Sequence, residues 1–157
     1  MNYVQLLEDV KHEVTRFYHA HDTDALPYHN LEHTLLVVGN AGRIARHYQL
    51  NDRDFFVVVT AAWFHDAGYY ITGMQGHEAA GAEMAANFLR SRQVEEETIA
   101  DVSRCIMATQ MPQQPEGLLE QIVCDADLFH LGTDIFPDQN KKMRREMEGR
   151  KGSRAKK

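Results

Sequence analysis

The sequence predicts an all-α fold, a bundle of about six or seven helices, and three features predict it. Apolar residues recur at helical spacing from the start of the chain. The four prolines, at positions 27, 112, 115 and 137, divide the chain into helical blocks. The most apolar stretch, Phe55 to Phe64, contains a strand-like Val57-Val58-Val59 triplet. It runs on through Ala61-Ala62-Trp63 without a turn residue, a length that favours a buried helix.

In order along the chain, Val4, Leu7, Val10, Val14 and Phe17 predict an amphipathic helix over about residues 2–20. His12, His19 and His21 share no helical pattern and are expected at the surface. Pro27-Tyr28-His29-Asn30 opens a second helix, with apolar positions Leu31, Leu35, Val38, Ile44 and Tyr48, reaching about Leu50. Asn51-Asp52 offers an N-cap for a third helix over about 53–67, which Gly68 is expected to stop. Residues 68–76 carry three glycines and are expected to form a loop. Small residues at close-packing positions mark a fourth helix, His77 to about Arg92. An acidic first turn opens a fifth, Glu95 to about Thr109. Met111-Pro112-Gln113-Gln114-Pro115 is expected as a loop, and Leu118 to about Leu131 as a sixth helix. Beyond Gln139 apolar residues nearly vanish and basic ones dominate. The expected division is one helical domain, 1–138, and a basic tail, 139–157, partly helical or disordered.

Composition bounds what such a chain does. With 157 residues it can bury a real core without disulfides. Its 43% hydrophobic and 25% charged residues are ordinary for a soluble globular protein. The net charge of -6 argues against global attraction to nucleic acid or to anionic membranes. It leaves room for a small anionic substrate, because a metal supplies positive charge locally. Cys105 and Cys124 lie in apolar settings and read as buried free thiols of a reducing compartment. No basic segment followed by an apolar region opens the chain, and no apolar run approaches the ~20 residues of a membrane span. A cytoplasmic location is the expectation.

The chemistry-bearing residues are His29, His33, His65, Asp66, His77 and Asp127. His29 and His33 are four apart and share one helical face. His65-Asp66 ends the most apolar run, and Asp125 and Asp127 fall inside the apolar segment Ile122 to Phe129. Carboxylates and imidazoles in such surroundings need partners. For His65 and Asp66, side by side at the helix end, a bound cation is a partner for both.

These residues resemble the pattern of the HD-domain superfamily of metal-dependent phosphohydrolases: a His, an adjacent His-Asp pair, then a distant Asp. The positions here are His33, His65-Asp66 and Asp127. Tyr28-His29-Asn30-Leu31-Glu32-His33 is similar to the Tyr-His-Asn-x-x-His motif of class I cyclic nucleotide phosphodiesterases and related bacterial proteins. Phe64-His65-Asp66-Ala67-Gly68-Tyr69, Gly76-His77-Glu78 and Asp125-Ala126-Asp127-Leu128 are similar to further motifs of bacterial members. The likeness covers about residues 25 to 135 and implies an HD-domain or phosphodiesterase-like helical bundle.

What the resemblance implies is a centre with His33, His65, Asp66 and Asp127 as ligands, Asp66 also orienting a water and His29 protonating the leaving oxygen. Two imidazoles and two carboxylates suit Mn, Fe, Co, Ni or Zn better than Ca or a thiolate-selected metal. One tightly held ion is expected. His77 and Glu78 are left between a second metal or substrate role and a helix start. Arg43, Arg104 and Lys141 are expected as surface charges, with phosphate contact as the alternative reading. The implied activity is hydrolysis of a phosphomonoester or phosphodiester, with a small phosphorylated molecule, a nucleotide above all, as substrate. No membrane partner is expected, nucleic acid is disfavoured, and a homo-oligomer is left open. Two competing functions share the ligand set: a di-iron oxygenase, which calls for more histidines between 66 and 127, and a non-catalytic nucleotide-sensing domain.

Overall fold

A computed structural model describes residues 1–21, 31–73 and 75–128. Among them the chain forms seven helices and no strand: α1 (Tyr3–His19), α2 (Leu31–His47), α3 (Asp52–Phe64), α4 (Tyr69–Thr72), α5 (His77–Ser91), α6 (Glu96–Met107) and α7 (Leu118–Leu128). The all-α expectation holds. No described helix is long and apolar enough to cross a membrane. The helix start expected at Pro27-Tyr28-His29-Asn30 and the tail from 139 on lie outside the described residues.

The organising element is α3. Asn51 caps it, its side chain accepting from the Asp54 backbone N–H at 2.8 Å, as the sequence suggests. From Phe56 to Phe64 every side chain is buried. A helix apolar on all sides must be surrounded, and α3 packs against α1, α2, α5, α6 and α7. Complete burial of a Val or Phe side chain contributes about 1.5–3 kcal/mol, and the nine-residue run forms the centre of a core completed by Val10, Val14, Leu89, Ile106 and Ile122 from the other helices.

The surrounding helices show which face each presents. On α1 the buried residues are Leu6, Val10, Val14 and Tyr18, while Val4 is exposed, so the stripe is turned from the one expected. Of the apolar positions expected for the second helix, Leu35 on α2 and Tyr48 just past its end are exposed. The buried face is His33, Thr34, Val37, Asn40, Ala41 and Ala45. The polar residues there face partners on other elements, His33 the Asp66 and Asp127 carboxylates, Thr34 the Tyr18 hydroxyl and Asn40 the Ala126 carbonyl, and a pattern of apolar residues alone cannot register them. His12 and His19 are exposed, and His21 is half-buried against Phe17.

The 68–76 segment corrects the sequence reading twice. It contains a short helix, α4, and Gly68 is in right-handed helical conformation rather than a left-handed stop. The chain passes from α3 to α4 through successive three-residue turns: Ala67 N–H to Phe64 O, Tyr69 N–H to Asp66 O and Tyr70 N–H to Ala67 O. Gly68 is required for clearance. A Cβ on it would lie 2.1 Å from the His77 carbonyl oxygen, and one on Gly81 would lie 2.7 Å from the Phe64 carbonyl oxygen. These two glycines let α5 sit on the end of α3. Gly81→Ala is therefore expected to destabilise the protein by about 1–3 kcal/mol. Urea denaturation measures this, and a change below about 0.5 kcal/mol would contradict the clearance role.

Candidate metal centre

The centre lies where α2, α7 and the turn after α3 meet. His33 comes from the buried face of α2, His65 and Asp66 from the turn, and Asp127 from the last turn of α7. One ligand atom from each of the four lies within 4.8 Å of all the others. Asp66 Oδ2 is 3.2 Å from His65 Nε2 and 3.5 Å from His33 Nε2. Asp127 Oδ1 stands at the same two distances, 3.2 Å and 3.5 Å, from the same two nitrogens. His33 and His65 are fully buried, Asp66 nearly so, and the Asp127 side chain is 18% exposed.

The hydrogen-bond direction at His65 is informative. Its Nδ1 lies 2.8 Å from the Ala62 carbonyl oxygen, which can only accept, so Nδ1 carries a proton and donates it. Nε2 is thereby turned toward two carboxylates. A single proton on Nε2 can be aimed at only one of them. A cation at the common centre satisfies both, and adjacent ligands about 2.1 Å from one ion lie about 3.0–3.4 Å apart, close to the distances found. The donors present thus fit a divalent ion of the transition series. The thiols stand aside: burial pushes both Cys105 and Cys124 up to about 12, and Cys124 donates to the Ala108 carbonyl.

The electrostatics agree. Burial opposes charge on His65, but the carboxylates of Asp66 and Asp127 raise its pKa well above the ordinary imidazole value. Burial likewise opposes charge on Asp127, yet the His65 charge and hydrogen bonds from His33 and His65 hold it well below the usual carboxylate range. A metal would replace the proton on His65 Nε2.

A supporting layer surrounds the four. Asp66 Oδ1 faces His77 Nε2 at 3.6 Å, and His77 Nε2 lies 3.0 Å from Glu78 Oε2. Both His77 and Glu78 are buried, and the His77 ring stacks on Tyr69 at 4.0 Å. Asn40 donates to the Ala126 carbonyl at 3.4 Å and accepts from Arg43, holding α2 against α7 one residue before Asp127. Arg104 pairs with Asp101 on α6. Tyr18 shares a 3.1 Å hydrogen bond with Thr34, and burial, then the Asp66 charge, raises its pKa. Gln113 donates to Asp127 Oδ2 at 3.2 Å.

Of the residues singled out from sequence, the structure brings together His33, His65, Asp66 and Asp127, with His77 and Glu78 alongside. Asp125 points outward and accepts from Gln121. His29 and Lys141 lie outside the described residues. Tyr18, Asn40 and Gln113 were not legible as site residues. The first reads as a core aromatic and the others as helix and loop polar residues, and only tertiary contact assigns them.

Residues 30–132 match the model of the HD domain family, well over half of the chain, and the chain belongs to that family. Domains of this family bind divalent metals, and the cluster described above could hold one. A solved structure with the same fold is a predicted HD superfamily hydrolase from an uncultured Thermotogales bacterium. The two superpose with a TM-score of 0.71 at 24% identity, over 93% of this chain and 83% of that one. No curated protein sequence matches the chain.

The raised His65 pKa has a consequence for the metal-free protein. A group whose pKa is higher folded than unfolded stabilises fully below its unfolded value, about 6.5 for histidine, and loses that contribution as pH rises through the folded value. Metal-free protein is thus expected to lose stability as pH climbs above about 6.5, and His65→Gln to show a flatter profile. Urea midpoints between neutral and alkaline pH measure this, and parallel profiles would contradict it.

Proposed function

We propose that the chain is a metal-dependent phosphohydrolase that cleaves a phosphomonoester or phosphodiester. The observation that carries the reading is the convergence of two imidazole nitrogens and two carboxylate oxygens on one buried point. Family membership and the fold shared with a predicted hydrolase support the hydrolase class. The preference for a nucleotide rests on the likeness of Tyr28 to His33 to the cyclic nucleotide phosphodiesterase motif.

His33, His65, Asp66 and Asp127 would hold one divalent ion, Mn, Fe, Co, Ni or Zn. When bound, such an ion lowers the pKa of coordinated water and neutralises phosphoryl charge. The residues divide the remaining work. The Ala62 carbonyl fixes the His65 tautomer, so Nε2 is the nitrogen offered to the cluster. Asp66 presents Oδ2 to the cluster and Oδ1 toward His77, so one carboxylate can both ligate and receive a proton. His77, 3.6 Å from Asp66 Oδ1 and 3.0 Å from Glu78 Oε2, would take that proton onward or hold a second ion with Asp66 Oδ1. His29, one turn before His33 in sequence, is assigned the protonation of the leaving oxygen.

The test is a screen of phosphorylated metabolites and cyclic nucleotides with each of Mn, Co, Ni, Mg and Zn. Asp66→Ala is expected to lose both bound metal and turnover. His29→Ala is expected to keep its metal while kcat falls about 100-fold or more. No turnover of any phosphate ester, together with unchanged metal content in Asp66→Ala, would overturn the reading.

A further inference from the structure

We propose that Gln113 is a positioning residue that holds Asp127 as a one-oxygen ligand of the centre. This role rests on the metal reading above. The two oxygens of Asp127 have different surroundings. Oδ1 lies 3.2 Å from His65 Nε2 and 3.5 Å from His33 Nε2, inside the cluster. Oδ2 lies 3.2 Å from Gln113 Nε2. A side-chain amide nitrogen only donates and an ionised carboxylate only accepts, so the direction is fixed. Carboxylates bind cations through one oxygen or both. An oxygen held by an N–H outside the cluster is turned away from chelation. One-oxygen ligation leaves more of the coordination sphere for water and a phosphoryl oxygen.

The donor comes from a well-anchored place. Gln113 lies in the irregular segment between α6 and α7 and is half-buried, whereas its neighbour Gln114 is exposed. Thr109 Oγ1 donates to the Ile106 carbonyl at 2.7 Å, and Cys124 Sγ donates to the Ala108 carbonyl at 3.2 Å. At the far end the Glu116 N–H bonds to Glu120 Oε1 at 2.9 Å. The segment is tied to α6 at its start and to α7 near its end. The amide is therefore delivered to Asp127 from a segment fixed to the same helix that carries Asp127. Outer partners that orient a ligand affect affinity about 10–100-fold.

Gln113→Met keeps an unbranched side chain of similar length and removes the donor. Chelator competition with Co(II) on the metal-free protein is expected to show affinity reduced about 10–100-fold. The visible absorption of the Co(II) form is expected to shift and weaken as Asp127 takes up both oxygens and the coordination number rises. The thermal midpoint of the metal-free variant is expected to match that of the unaltered protein, and Gln114→Met to leave both metal readouts unchanged. Affinity within twofold and an identical spectrum would overturn the role. So would an equal loss in Gln114→Met, or a loss that merely follows a fallen thermal midpoint. An unaltered protein that binds no Co(II) overturns the metal centre and this role together. Binding by the unaltered protein with no difference in Gln113→Met overturns the role alone.

Discussion

Two carboxylates, Asp66 and Asp127, share one buried space with two imidazoles, and the fold is arranged around keeping them together. Placed apart in an apolar interior, each would carry a desolvation cost of several kcal/mol. Together they raise the pKa of His65, and its charge helps hold Asp127 below the usual carboxylate range. Nδ1 of His65 is committed to the Ala62 carbonyl, so Nε2 is the nitrogen it offers to the two carboxylates.

The all-α class and the start of α3 at Asn51 were legible in the sequence, because a wholly apolar helix and a capping side chain are local signals, although the helix ends at Phe64 rather than near residue 67. The His33, His65-Asp66, Asp127 pattern was legible through its resemblance to the motifs of a known family. The helix faces were less legible. Leu35 and Val4 continue the apolar period yet face outward, while His33, Thr34 and Asn40 take the inner positions of α2. Where polar residues bond across packed helices they take the inner positions, and apolar periodicity misplaces the stripe by about one residue.

Gly68 shows a different limit. A glycine after a helix has two physical uses, a left-handed backbone or room for a neighbour, and local sequence does not separate them. Here the neighbour is the His77 carbonyl, and the backbone is ordinary. The same close approach, with Gly81 against Phe64, brings His77, itself paired with Glu78, to the outer oxygen of Asp66. The motif around residue 77 thus acquires meaning from a steric allowance made at residue 68. Tyr18 was invisible because it reads as a core aromatic, and Gln113 because it reads as a polar residue of a proline-bounded loop.

The four clustered residues are drawn from α2, the turn after α3, and α7, elements far apart along the chain. An ion gripped by all four would close long loops in the way a covalent cross-link does. Binding restricted to the folded state stabilises it by about 2.7 kcal/mol when the free ion stands at a hundred times its dissociation constant. In a chain whose only cysteines are buried as free thiols, the persistence of the fold in a cell would then track how much ion the cell supplies. Scarcity of the ion would lower the amount of protein as well as its activity.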